Sequence, residues 1–524
     1  MKELTLKARP CTAPERFYEK PETKEYSAVI DGWLRTWREY VPSGYDGSKP
    51  VPLVLSVHGA AHHSADRYTA WQLVAEREGF IVAYPHCLIE EIKFNVWEHF
   101  TAEDGMPDDV AYFDALIDIL LEKYNIDPER IYMQGQSVGD NMVSTYLFAH
   151  GDRIAAAAPL SGPPSCSTFY RHGSDEPVLY PHHAVPVLRR HGSEDTQQPL
   201  GTLGKICVMS PKGEEPTLDF SESARRNKWL VAQTPSLELW RHANGCTALP
   251  KLGVRGRYNW LVYEGACRTA FYVVEGGEHG PYLDMADKLW TQFFSCYRRS
   301  AGSVVRTPDT GSEWDHGAIA LADGAAMAYV DNRLTPLDDA GRTAKRVNGE
   351  FYTPAAFLEK AIPGAAVETY AGGQAICVRR GGDCLQMAMG NRAVVWNDTL
   401  EDMPTTLFLD GTLYVPIVWT ARLLSGMQAC EGYGVCYLNQ TGGRLSYDLS
   451  YVIRELLGTE PAMTPQDILA LEDSLRQVGG KQYAAHNIGD SKYPGGPEDI
   501  FRLLKGKYQQ QYEQYLSEQE KGAE

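Results

Sequence analysis

Ile131-Tyr132-Met133-Gln134-Gly135-Gln136-Ser137-Val138-Gly139-Asp140-Asn141-Met142-Val143 is the stretch on which the reading of this chain turns. Its first three residues are an apolar, strand-like run. Asn141 to Leu147 has the character of a helix. Between them, Gly135-Gln136-Ser137-Val138-Gly139 is a G-x-S-x-G motif. Small residues on both sides of a serine allow a sharp strand-to-helix turn, which exposes Oγ and aims the next amide N–H, that of Val138, at a developing oxyanion. Five residues alone are weak evidence, and the ordinary alternative is a structural turn serine. The flanking strand and helix favour a nucleophile.

Working outward, Val51 to Val57 and Phe80 to Tyr84 are short, nearly continuous apolar runs, as in strands buried on both faces of a parallel sheet. From Asp109 to Tyr124, Val110, Phe113, Leu116, Ile117, Leu120 and Leu121 recur at three- and four-residue spacings, one stripe of a helix. Such alternation predicts an α/β domain with a mostly parallel sheet over residues 1–298. At 524 residues the chain is too long for one ordinary core.

If Ser137 is a nucleophile, an acid and then a histidine should follow it in the chain. The strand-like Val185-Pro186-Val187-Leu188 runs on to His191-Gly192-Ser193-Glu194-Asp195, and Asp195 is the preferred acid, with Glu194 the alternative. The next strand, Ala270 to Val274, leads to Glu275-Gly276-Gly277-Glu278-His279-Gly280. A glycine-rich loop there lets His279 turn back over the sheet and act as general base. His242 is the alternative. His58-Gly59-Ala60-Ala61 follows the first strong strand, where a second oxyanion donor is expected from the backbone of Ala60, with Ala61 the alternative. His62 and His63 lie near the expected mouth, within reach of substrate, and His62 is the one assigned to it; a pair of exposed loop histidines is at least as good a reading. Of the aromatics Trp97, Phe100, Trp240, Tyr258 and Trp260, Trp97 and Trp240 are the ones assigned to substrate; such residues are more often core or rim.

Composition narrows the rest. A formal charge of −18, without lysine or arginine clusters, argues against nucleic-acid or anionic-membrane partners. The eleven cysteines are scattered without a CxxC pair, so no metal and no cofactor is expected. The first twenty residues lack a secretory apolar core, and no stretch is long and apolar enough to span a bilayer, which predicts a cytoplasmic protein. Ser300 to Gly317 reads as a linker, with the boundaries set at 299–316. Beyond it, Val347-Asn348-Gly349-Glu350-Phe351-Tyr352-Thr353-Pro354 recurs 62 residues on as Leu409-Asp410-Gly411-Thr412-Leu413-Tyr414-Val415-Pro416. Asn-Gly and Asp-Gly predict type I′ hairpins, each followed by a short helix, Ala355 to Ala361 and Ile417 to Leu424. The result is a smaller α+β repeat domain over 317–457, and then a polar helical tail over 458–524.

Taken in order, Asp108-Asp109-Val110, Tyr124 to Tyr132, the Ser137 motif, Ala158-Pro159-Leu160-Ser161-Gly162, His191-Gly192-x-x-Asp195, Trp240-x-x-x-Asn244-Gly245-Cys246 and Gly276-Gly277-x-His279 resemble the polyhydroxybutyrate depolymerase and feruloyl esterase group (LpqC-like) over most of residues 30–290. The resemblance implies the α/β-hydrolase fold and hydrolysis of carboxylic esters through an acyl-enzyme. The expected substrates are small-molecule or oligosaccharide esters, feruloyl-type aromatic or carbohydrate-linked. A prolyl-oligopeptidase-like peptidase and an inactive, glycan-binding hydrolase are the competing readings. The family commonly has Gly-Gly after the serine; here Asp140 follows Gly139, a carboxylate suited to a helix N-terminus. Cys246 and Cys267 sit where some relatives form a disulfide, and a reducing cytosol would leave them as thiols. The repeat resembles the copper amine oxidase N-terminal-like domain, without a copper-ligand cluster. Homo-oligomerisation through that domain is the expected partner contact.

Overall fold

The computed structural model describes residues 20–59, 64–88, 108–162, 182–193, 240–241, 243–280, 285–300, 302–306 and 314–459. Ten strands form one sheet: β1 (Lys24–Ile30), β2 (Trp33–Tyr40), β3 (Val51–Val57), β4 (Ile81–Pro85), β5 (Ile126–Gln136), β6 (Ala156–Leu160), β7 (Val187–Gly192), β8 (Lys251–Arg255), β9 (Tyr258–Tyr263) and β10 (Thr269–Val274). Their spatial order is β1-β2-β4-β3-β5-β6-β7-β10-β9-β8. From β4 to β10 every pairing is parallel, while β1, β2, β8 and β9 run antiparallel at the two edges. The expected mostly parallel sheet is therefore present.

Helices cover both faces, which is why β3, β4 and β6 are almost wholly apolar. On one face, α2 (Asp109–Lys123) and α3 (Val138–His150) follow α1 (Trp71–Glu78) in the chain and bury Val110, Phe113, Leu116, Ile117, Met142 and Tyr146 against Leu53, Leu55 and Met133. The predicted stripe of α2 is the face that is buried, with Leu121 at its margin. Asp108 caps this helix, its side chain accepting from Ala111 N at 2.8 Å, one of the amides that no intrahelical carbonyl can satisfy. On the other face, α1 and α4 (Met285–Gln292) pack Trp71, Leu289 and Trp290 with Phe80 and Phe294, Trp290 stacking on Phe80 with centroids 4.0 Å apart. Each such side chain, fully withdrawn from water, contributes roughly 1.5–3 kcal/mol.

The segment read as a linker is only partly so. It begins with a hairpin, β11 (Tyr297–Ser300) and β12 (Ser303–Arg306), and it ends in buried residues, Trp314 and Asp315. Its composition hid this because burial comes from contacts distant in sequence. The remaining strands are β13 (Ile319–Ala322), β14 (Met327–Val330), β15 (Arg333–Pro336), β16 (Lys345–Val347), β17 (Glu350–Pro354), β18 (Ala365–Tyr370), β19 (Ala375–Arg380), β20 (Asp383–Ala388), β21 (Ala393–Trp396), β22 (Thr399–Asp402), β23 (Leu407–Leu409), β24 (Thr412–Pro416), β25 (Gln428–Gly432) and β26 (Val435–Asn439). Helices α5 (Phe357–Ala361), α6 (Ile417–Ser425) and α7 (Tyr447–Leu456) accompany them.

The sequence repeat is a structural one. β16–β17 and β23–β24 are hairpins whose turn residues Asn348, Gly349, Asp410 and Gly411 all have positive φ, as a type I′ turn requires. The copies pair through β17 and β24, with Tyr352 opposite Pro416, Thr353 opposite Val415 and Pro354 opposite Tyr414. Equivalent residues are thus exchanged about a local twofold axis between Thr353 and Val415. A five-stranded meander, β18 to β22, lies between the copies and was not foreseen. The polar tail beyond 459 lies outside the described residues.

This repeat half shares a core with the α/β half. Leu252, Val254 and Leu261 of β8 and β9 pack with Ala320, Tyr437, Leu449 and Val452. Asp315 accepts from Val254 N at 2.9 Å, Tyr437 Oη at 3.0 Å and Asn439 Nδ2 at 2.8 Å. Asn259 donates to the Arg444 carbonyl and accepts from Ser446 N.

Candidate active site

Ser137 stands between β5 and α3 with φ 58° and ψ −118°, a backbone conformation that a residue with a Cβ adopts only under strain. Close packing enforces it. A Cβ at Gly135 or Gly139 would overlap neighbouring backbone, that of Gly139 and of Val57 and His58 respectively. Gly162 lies equally close to the Ser137 carbonyl, and Ser137 N donates to the Leu160 carbonyl at 2.8 Å. The glycines of the motif are therefore sites of backbone approach, and Ser137 and Val138 are left half-buried at the carboxyl edge of the sheet.

The loop after β3 comes to the same edge. A Cβ on Gly59 would sit 3.3 Å from that of Ser137. His58 is buried beneath it, and Nε2 accepts from Cys87 N at 3.3 Å. The Nδ1 atom then carries the proton and donates to the Gly59 carbonyl at 2.9 Å. Gly59 N in turn donates to the Tyr68 hydroxyl at 2.9 Å. His58 and Tyr68 brace this loop, roles that no local pattern signalled. Ala60, Ala61, His62 and His63 lie outside the described residues.

β7 and β10 are parallel neighbours with Gly192 opposite Val274. Their exits are knitted together: Ser193 N donates to the Val274 carbonyl at 3.1 Å, and Gly276 N to Ser193 Oγ at 2.7 Å. Gly192 is pressed against the Gly277 backbone. The loop bearing His279 and the start of the loop that carries Asp195 in sequence therefore leave the sheet side by side. His279 is half-buried. Among the described residues no hydrogen bond joins it to Ser137 Oγ. Asp195, Glu194, His242, Trp97 and Phe100 lie outside the described residues.

One expectation is corrected. Trp240 was expected to touch substrate, but it is 1% exposed and packs edge-on to Phe148 within the core against α3. Trp260 is likewise buried, on the opposite face. Asn244 of the same segment explains why an indole is held there: it joins Val185 N and O to Thr269 Oγ1 at 2.8–3.0 Å, tying the entries of β7 and β10. Asp140 sits at the start of α3 as expected, but it is fully enclosed, not merely placed at a helix terminus. Burial outweighs the adjacent Arg189 guanidinium and lifts its carboxyl to about 6. Cys246 and Cys267 are buried thiols, and burial pushes Cys267 up to about 11. Among the described residues no group of three His, Cys, Asp or Glu is placed to hold a metal, and no helix is long and apolar enough to cross a membrane.

Strand order, covered sheet faces and a strained serine at the turn from the fifth strand into a helix define the α/β-hydrolase fold. Within that class, residues 36–163 match the family model described as Esterase PHB depolymerase. Similar curated proteins include the bifunctional acetylxylan esterase/xylanase of Neocallimastix patriciarum, 29% identical over 30% of this chain and 21% of its own length. The poly(3-hydroxyalkanoate) depolymerase C of Paucimonas lemoignei is 28% identical over 47% and 58%. Feruloyl esterase B of Piromyces equi is 27% identical over 45% and 41%. The chain thus spans less than two thirds of each of these relatives.

Proposed function

We propose that this chain is a serine carboxylic ester hydrolase in which Ser137, His279 and Asp195 form the catalytic triad. The observation that carries the reading is the strained, half-exposed Ser137 held by close glycine contacts between β5 and α3. His279 takes the proton from Ser137 Oγ as that oxygen attacks the ester carbonyl carbon. The tetrahedral oxyanion accepts from the backbone N–H groups of Val138 and Ala60. Collapse of this intermediate breaks the bond to the alcohol oxygen, which leaves with the proton returned by His279. Water, deprotonated by the same imidazole, then releases the acid and frees Ser137. Asp195 accepts from the imidazole Nδ1–H throughout. The named activities of the relatives support aromatic or carbohydrate-linked acyl esters as the substrate class.

The test is turnover of p-nitrophenyl acetate, methyl ferulate and a proline p-nitroanilide by the wild type and Ser137→Ala. Ester turnover that disappears with the hydroxyl is expected. Amide turnover alone would point to a peptidase, and full ester turnover by Ser137→Ala would end the triad reading.

A further inference from the structure

β7 carries two arginines, Arg189 and Arg190, in the middle of a parallel sheet, where they are 3% and 1% exposed. Enclosing guanidinium groups is costly unless their N–H donors are satisfied, and apolar residues would fill a central strand at lower cost. Being adjacent, the two side chains leave opposite faces of the strand. What each one reaches is informative. Arg189 Nη2 approaches Asp140 Oδ2 at 3.2 Å and also donates to the Gly162 carbonyl, while Gly162 N donates to Asp140 Oδ2 at 2.9 Å. Gly162 is the residue packed against the Ser137 carbonyl. Arg190 donates from Nη1 at 2.9 Å and Nη2 at 2.6 Å to one acceptor, the carbonyl of Gly280, the residue after His279. Its Nη1 also lies 3.3 Å from Ser161 Oγ, beside Gly162.

We propose that Arg189 and Arg190 are positioning residues that bind the serine turn and the histidine loop to a single strand and so set the approach of His279 to Ser137. The inference rests on the triad reading given above. A planar guanidinium suits the task, because two N–H groups in a fixed fork fix both the position and the orientation of one carbonyl; a lysine ammonium offers a point charge without that plane. Neither arginine touches substrate. Each acts through the backbone that it holds.

Arg190→Lys and Arg190→Met, measured on p-nitrophenyl acetate beside Ser137→Ala and His279→Ala, test this. Misplacing a catalytic group by about 1 Å costs on the order of 100-fold. Arg190→Lys should therefore lose roughly 10- to 100-fold in kcat with KM nearly unchanged, the split expected when an interaction is needed only in the transition state. Reaction of Ser137 with a fluorophosphonate should slow in parallel, and Arg190→Lys should keep a cooperative melting transition. Wild-type kcat in both Arg190 variants, with Ser137→Ala and His279→Ala inactive, would overturn the positioning role and leave the triad standing. Loss of the cooperative transition in Arg190→Lys would also overturn it, marking the arginine as a core group only. Activity persisting in Ser137→Ala would instead remove the triad reading itself.

Discussion

The turn that carries Ser137 was legible because its signals are local: two flanking glycines, a strand before it and a helix after it. The strained φ of Ser137 is held by contacts from elsewhere in the chain: the backbone of Val57 and His58, at the end of β3, presses on Gly139, and Gly162, just after β6, presses on the Ser137 carbonyl. On the triad reading, Ser137→Ala and His279→Ala should each lower kcat on p-nitrophenyl acetate on the order of 10^4-fold or more. Asp195→Asn should cost roughly 10^4-fold, since the imidazole would be held in the wrong tautomer. A mild His279→Ala beside a severe His242→Ala would reassign the base. Asp140 allows a separate test. Its carboxyl, at about 6, lies above the unfolded-chain value of about 3.9. Between those values the native protein binds more protons than the unfolded chain, so this group favours folding increasingly as the pH falls from about 6 towards about 4. Relative to Asp140→Asn, the wild type should gain stability across that interval, read from urea unfolding at each pH. A flat difference would show that burial does not govern this carboxyl.

At the scale of elements, apolar periodicity placed the central strands and α2 well, because burial on one face or two leaves a repeating mark. It under-read β7. Arg189 and Arg190 look like the end of a strand, yet they lie within it, since their partners are 27 to 90 residues away in sequence. Trp240 misled for the opposite reason: an aromatic beside an expected cleft carries no mark of which way it faces. The contact between Gly192 and Gly277 joins two elements, and Gly192→Ala is the change that addresses it. A methyl group there would enter the van der Waals space of the Gly277 backbone. Overpacking of this kind costs about 1–3 kcal/mol. Gly192→Ala should lower the melting temperature and depress kcat more than KM, as the histidine loop is pushed outward. An unchanged melting temperature and kcat would mean that the two loops move independently.

For the whole molecule, the boundary near residue 300 divides chain texture but does not divide the core. Residues of β8 and β9 are buried against Tyr437, Leu449 and Val452, and the Asp315 carboxylate joins Val254 to Tyr437 and Asn439. Calorimetry of the full chain should therefore show the two halves unfolding in one cooperative transition. Two well-separated transitions would mean that the junction contributes little. Asp315→Ala takes the acceptor from Val254 N and from one N–H of the buried Asn439 amide, while the Tyr437 hydroxyl keeps the Leu252 carbonyl at 3.2 Å and Asn439 the Val254 carbonyl at 2.7 Å; a buried donor left unsatisfied costs roughly 1–3 kcal/mol. The variant's melting transition should fall accordingly, or split in two.

By itself the sequence determined the central strands of the parallel sheet, helix α2, the serine turn, the glycine-rich loop after β10 and the doubled hairpin, because these depend on short-range periodicity and on turns that demand positive φ. Only the tertiary structure decided that the repeat halves meet about a twofold axis, that they share a core with the sheet edge, and that paired arginines on β7 reach the loops on either side of it. Those outcomes depend on which groups remain polar after burial, and satisfying a buried donor draws on partners anywhere along the chain, which leave no periodic trace.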